Sequence, residues 1–256
     1  MNQTIIEIKG LTKKYEQKAV VDHLNLTINK GEVFGLLGPN GAGKSTTINL
    51  ITSLIRPTAG DISVFGLNTK NNMKEIKERL GLIPQELAIH GDLKAWENIE
   101  LFAGLYGLKG KALKEAINHA LAFVGLTDHR NSFAKTFSGG MKRRLNIACA
   151  LGHNPDLLIF DEPTVGIDPQ SRNFILERIK LLNKQGTTIL YTSHYMEEIE
   201  LLCNRIAIMD SGKIIALGTK QELVSLVSSD NPNMSLEEVF LSLTGKSLRD
   251  YGGEGF

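Results

Sequence analysis

Short, wholly apolar runs alternate with longer amphipathic stretches along most of the 256 residues. Val33-Phe34-Gly35-Leu36-Leu37 and Leu157-Leu158-Ile159-Phe160 carry no charge at any position, the pattern of strands buried on both faces. Leu24 to Ile28 alternates apolar and polar residues. Ile5 to Ile8, Ile62 to Phe65, Leu82-Ile83, Thr188 to Thr192, Ile206 to Met209 and Lys213 to Leu217 complete the predicted strands. Asn29-Lys30-Gly31 and Pro57 to Asp61 interrupt the chain, and Ser211-Gly212 closes a hairpin. Helical spacing runs through Ile48, Ile51 and Ile55, and over residues 71–80, 171–184 and 195–203. From Leu93 to about Ala150 the strand pattern disappears, and Trp96 to Tyr106, Leu113 to Val124 and the run after Ser138 read as successive helices. The pattern predicts an α/β fold with a mostly parallel sheet, interrupted by a helical insertion over about residues 93–153. One domain is expected over residues 1–227. Residues 228–256 form a linker and tail, with an amphipathic stripe of Leu236, Val239, Phe240 and Leu243.

Composition narrows the classes. Hydrophobic content is 42%, charged content 22% and formal net charge +1, which gives no global basic field for nucleic acid. No apolar stretch reaches bilayer length, and Met1 to Gly10 carries Glu7 and Lys9 rather than a secretory core. Cys149 and Cys203 lie in helix-like apolar runs, read as core thiols without a disulfide framework. A cytoplasmic setting is expected.

The chemistry starts at Gly38-Pro39-Asn40-Gly41-Ala42-Gly43-Lys44-Ser45-Thr46, which fits the phosphate-binding loop G-x-x-x-x-G-K-[ST]. The loop stands between a buried strand and a helix, the context the motif requires. Its glycines let the backbone curve so that N–H groups face a phosphate, and the helix N-terminus adds positive potential. Lys44 is expected on the β- and γ-phosphates of ATP, and Ser45 on Mg²⁺. Asp161 and Glu162 follow the second apolar strand; Asp161 is expected to hold the metal and Glu162 to orient or deprotonate the attacking water. Ser138-Gly139-Gly140 opens a helix. It reads as an ordinary capped helix start or as a second anion site, and spacing alone does not choose.

Together these motifs resemble the ATP-binding subunit of ABC transporters, over about residues 5–250. Phe137-Ser138-Gly139-Gly140-Met141 is similar to that family's signature motif, Leu157 to Glu162 to its Walker B strand, and Val165-Gly166-Ile167-Asp168 to its D-loop. His194 stands where the family has its switch histidine, Gln85 at the Q-loop glutamine, and Tyr15 where an aromatic stacks on adenine. Met141 and Phe137 replace the usual glutamine and leucine, and Val165 a common serine. Lys142-Arg143-Arg144 is read as the solvated face of the signature helix, not a nucleic-acid patch.

The resemblance implies a P-loop NTPase core with an antiparallel β-subdomain, and two cassettes head to tail with ATP between them. One side supplies Tyr15, Lys44, Ser45, Gln85, Asp161, Glu162 and His194, with Gln85 also near the metal; the other supplies Ser138 and Gly140, with Gly139 and Asp168 nearby. It implies an ATP-dependent homodimer on the cytoplasmic face of the membrane, docked to separate integral membrane permease subunits. The tail from Leu236 to Asp250 resembles the bacterial drug-exporter branch, which implies export of an amphipathic drug, peptide or lipid-like substrate. The alternatives are a soluble ABC ATPase acting on nucleic acid or ribosomes, and an importer ATPase. A P-loop GTPase would want N-K-x-D, and Asn29-Lys30-Gly31-Glu32 lacks the aspartate.

Overall fold

A computed structural model describes residues 3–228, 231 and 233–245. In chain order the elements are β1 (Thr4–Tyr15), β2 (Lys18–Asn29), β3 (Val33–Leu37), α1 (Lys44–Ile51), β4 (Ala59–Val64), β5 (Leu67–Asn68), α2 (Met73–Glu78) and β6 (Leu80–Ile83). Then come α3 (Ala95–Leu105), α4 (Gly110–Phe123), α5 (Gly139–Leu151), β7 (Leu157–Asp161), α6 (Pro169–Lys184) and β8 (Thr188–Ser193). The chain closes with α7 (Met196–Leu202), β9 (Arg205–Asp210), β10 (Lys213–Gly218), α8 (Lys220–Val227) and α9 (Leu236–Thr244). Two compact units divide these elements: Met1–Ile76 with Thr188–Phe256, and Lys77–Thr187.

The first unit holds an antiparallel sheet in the order β2-β1-β4-β5 and a set of strands in the order β10-β9-β3-β8. β3 is central and pairs in parallel with both β8 and β9. Every residue of β3 and β8 is buried, which is why both read as uninterrupted apolar or small-residue runs. The hairpin at Ser211-Gly212 joins β9 to an antiparallel β10. α9 packs on α7 and α8 through Leu236, Val239 and Phe240, and the Leu236 amide donates to Glu200 Oε1 at 2.6 Å.

In the second unit β6 and β7 pair in parallel. α3 packs on α4 and α5, and the expected strand-free stretch holds helices joined by turns, with an isolated bridge between Lys94 and Phe133. The α/β class, the mostly parallel pairing and the antiparallel sheet agree with the expectation.

Several boundaries differ. β1 and β2 are 12 residues each, far longer than their apolar cores suggested, because register shifts along the pair break the two-residue alternation. α1 stops at Ile51, so Ile55 is not on it; Ser53 takes a left-handed φ of 55°. β4 begins at Ala59, inside the predicted break, and Phe65 (φ 56°) belongs to the turn after it. α8 was not expected at all. Lys246 to Asp250 of the tail, with part of the Ser228 to Asn233 linker, lie outside the described residues.

Candidate functional site

In the first unit the chain leaves β3 into the phosphate loop. Gly43 caps α1 with a φ of 103°, and a Cβ there would meet the Val20 carbonyl oxygen at 2.6 Å. Only glycine satisfies both conditions. No side chain caps α1 and its first turn carries no acid, so nothing built into the helix offsets its positive end. Lys44 is buried, and its ammonium donates to the carbonyls of Gly38 at 2.7 Å and Pro39 at 3.1 Å. The cation is thereby drawn into the concavity of the loop. Ser45 and Thr46 are half-buried in the first turn of α1, and Gly41 and Asn40 are exposed at the loop tip.

The parallel register sets Leu37 opposite Ser193. The phosphate loop and His194 therefore leave neighbouring strands at the same level, the carboxyl edge where parallel sheets bind ligands. His194 is half-buried, its ring 4.2 Å from that of Tyr195. Tyr15 lies on the other sheet, at the β1–β2 hairpin end, half exposed with the Lys13 ammonium 4.9 Å from its ring centroid.

In the second unit Ile83 pairs with Phe160, so Gln85 and the Asp161-Glu162 pair likewise follow adjacent strand ends. Asp161 closes β7, and both carboxylates are buried. Glu162 holds a φ of 46°, a left-handed conformation that a non-glycine residue adopts at a cost and that clusters at functional positions. Gln85 is exposed.

Ser138 caps α5, its Oγ accepting from the Met141 amide at 3.2 Å. Ser138 and Gly139 are exposed while Gly140 is buried. A Cβ on Gly140 would meet the Ser171 Cβ at 2.6 Å, so glycine here lets α5 approach the start of α6. Asp168 caps α6, accepting from the Ser171 amide at 2.9 Å. That hydrogen bond is the main reason its carboxyl lies below the ordinary aspartate range. The signature glycine and the D-loop aspartate are therefore packed together.

The basic triplet corrects the sequence reading. Arg143 is buried, not solvated: its guanidinium donates to the carbonyl of Pro84 at 2.8 Å and to that of Gln85. Three residues along α5, on the same face of the helix, Asn146 reaches the same segment, its Oδ1 accepting from the Ala88 amide at 3.1 Å. Arg144 is half-buried, its guanidinium 5.0 Å from the Phe174 ring centroid and donating to the Val124 carbonyl at 3.3 Å. α5 thus grips the segment carrying Gln85 through two side chains. Arg143→Met should lower the unfolding free energy by about 1.5–3 kcal/mol, the usual worth of charged hydrogen bonds. The check is a lower urea midpoint at constant slope, with the half-buried Lys142→Met shifting stability by less than about 0.5 kcal/mol. Cys149 is buried, as expected for a core thiol, while Cys203 is half-buried at the end of α7; burial pushes both thiols well up.

Among the described residues no cluster of three or more His, Cys, Asp or Glu side chains is arranged to hold a metal ion, and no helix is long and apolar enough to cross a membrane.

A sequence profile described as ABC transporter matches residues 21–165. The linearmycin resistance ATP-binding protein LnrL of Bacillus subtilis is 49% identical over 226 residues, which is 88% of this chain and 73% of that protein. The Nod factor export ATP-binding protein I of Cupriavidus pinatubonensis is 40% identical, over 86% of this chain and 68% of its own. Among solved structures, an ATP-binding subunit of an ABC transporter superposes with a TM-score of 0.85 at 31% identity, covering 94% of this chain and 99% of that one. The cassette MJ0796, solved as a dimer in a post-hydrolysis state with ADP and Pi, gives 0.77 at 26% identity over 84% of this chain and 98% of its own.

Proposed function

This chain belongs to the ABC transporter family of ATP-binding proteins, and from that membership we infer that it powers export through separate membrane subunits. It is an ATPase of the exporter type, similar to proteins named for drug resistance and Nod factor export. The observation that carries the reading is the loop around Lys44: a buried ammonium on two loop carbonyls, at a helix end that nothing in its first turn neutralises.

The residues divide the work. Tyr15 offers an exposed aromatic face to a base. The loop from Gly38 to Thr46, through the backbone N–H groups of its residues other than Pro39 and through the Lys44 ammonium, receives the phosphates. Ser45, Gln85 and Asp161 would hold Mg²⁺ through oxygen atoms, the donor type that ion takes, with a single carboxylate among them. When bound, Mg²⁺ supplies charge neutralisation on the β- and γ-phosphates. Glu162 orients the attacking water and takes its proton, and His194 meets the γ-phosphate. Ser138, Gly139, Gly140 and the neighbouring Asp168 complete the anion site from a second copy of the chain. Residues 1–227 are the ATPase domain and 228–256 a linker and tail. Docking to an integral membrane permease would hold the protein at the cytoplasmic face of the membrane. The cargo we propose is an amphipathic drug, peptide or lipid-like molecule, consistent with the names of the relatives.

Steady-state hydrolysis of ATP and GTP, with and without nucleic acid and with Mg²⁺ chelated, tests the enzyme. ATP turnover should depend on Mg²⁺ and ignore nucleic acid; stimulation by DNA or RNA would displace the transport reading. For cargo, deleting the gene together with that of its permease should raise sensitivity to some amphipathic antibiotic or membrane-active peptide. Unchanged sensitivity with failed growth on a scarce nutrient would instead indicate import.

A further inference from the structure

The turn that carries His194 is built around a hydroxyl and a buried carboxyl group that the sequence motifs do not include. Ser193 ends β8 and is buried. Its Oγ donates to Glu198 Oε2 at 3.0 Å and accepts from the Tyr195 amide at 2.9 Å. Glu198, in the first turn of α7 and 1% exposed, accepts a second hydroxyl, that of Tyr191, at 2.7 Å on the same oxygen. Tyr191 and Ser193 are two residues apart on β8 and so share a face of the sheet.

A serine hydroxyl has one proton and spare lone pairs. Here the proton goes to Glu198 and a lone pair to the Tyr195 amide, so the bonds have a fixed direction. The residue before His194 and the residue after it are tied to a single oxygen atom, and that atom is tied to α7. The same strand end faces Leu37, the last residue before the phosphate loop. Packing alone would be met by apolar side chains, without the cost of burying a carboxyl group.

Resting on the proposed contact of His194 with the γ-phosphate, we propose that Ser193 and Glu198 are positioning residues for His194. They fix the main chain on both sides of the imidazole, so that it is already aimed when ATP arrives. Errors of about 1 Å in such placement cost on the order of a hundredfold in rate.

Ser193→Ala removes both bonds with the loss of one atom. The full-length protein carrying it should show kcat lower by about tenfold to a hundredfold, with the KM for ATP changed by less than about twofold, because Lys44 and the loop are untouched. The diagnostic comparison is the double mutant. In a His194→Ala background, Ser193→Ala should remove almost nothing further, since the group it positions is gone. Tyr191→Phe, which deletes only a hydroxyl, is a second and gentler variant: it should lower kcat less than Ser193→Ala and again only when His194 is present. Full kcat in Ser193→Ala, or an equal fall with and without His194, would overturn the positioning role. His194→Ala hydrolysing at the parent rate would instead overturn the role of His194 on which it rests.

Discussion

Glu162→Gln should bind ATP at least as tightly as the parent and hydrolyse it about 10²–10⁴-fold more slowly, the usual worth of a positioned general base. That range is about 2.7–5.4 kcal/mol of transition-state stabilisation. Glutamine has the shape of glutamate, so the left-handed backbone at residue 162 costs the same in both proteins and packing at this buried position is kept. What goes is the ability to take a proton, along with one negative charge close to where the γ-phosphate is expected. Loss of the charge favours the nucleotide; loss of the base stops turnover. Lys44→Ala should fail in the opposite way. It removes charge-assisted bonds of about 1.5–3 kcal/mol each, a weakening of ATP binding by about tenfold to more than a hundredfold. It also removes the ammonium that holds the carbonyls of Gly38 and Pro39. Calorimetric ATP affinity and steady-state turnover, measured for both variants, separate the cases. Equal loss of binding in the two would refute the division of labour between loop and strand end.

The residues given these proposed roles were legible in the sequence because they sit at fixed offsets from elements with strong patterns. β3 and β7 are buried on both faces and cannot be read as anything but core, so Gly38, directly after β3, and Asp161, at the end of β7, are placed as soon as the strands are. Helices with one apolar face, such as α4 and α6, were equally plain. β1 and β2 were not, because bulges shift their register and charged residues fall where alternation predicts apolar ones. α8 escaped because it buries little more than Leu223 and Val224. Its signal was local instead: Thr219 and Glu222 form a reciprocal cap, Thr-x-x-Glu, that a search for helix starts would have found.

The misread residues share one property. Arg143 stands between Lys142 and Arg144, and nothing in a run of three cations says which one turns inward. That choice is made by Pro84 and Gln85, some 58 residues away, whose carbonyls need a donor. Ser193 and Glu198 are likewise ordinary until β8 and α7 are folded against each other. Motifs record residues that meet a ligand; side chains that hold the main chain in place leave no comparable offset.

The signature turn offers the other large effect. In the Glu162→Gln background, where bound ATP persists, light scattering should show monomer without nucleotide and dimer with ATP and Mg²⁺. Ser138→Arg should abolish that dimer. Ser138 and Gly139 are exposed at the start of α5, and the first turn contains no acid, so the helix end is open to an anion brought by another molecule. A single helix end contributes about 0.3–1 kcal/mol to such a contact, too little to hold two proteins together unless the loop of the partner copy already grips the same phosphates. On the proposed arrangement ATP would join two half-sites that are each weak alone, and hydrolysis would remove the joint. Arginine would put a long side chain into the space the phosphate needs, and would forfeit the cap on the Met141 amide. The lost cap costs about 0.5–2 kcal/mol of stability and would not by itself prevent association. The control is internal: ATP affinity of the monomer should be unchanged in Ser138→Arg, since the residues proposed to bind ATP within one copy do not include Ser138. Dimer that forms as readily without ATP, or that ignores Ser138→Arg, would exclude ATP as the joint and require an interface built from the protein surface itself.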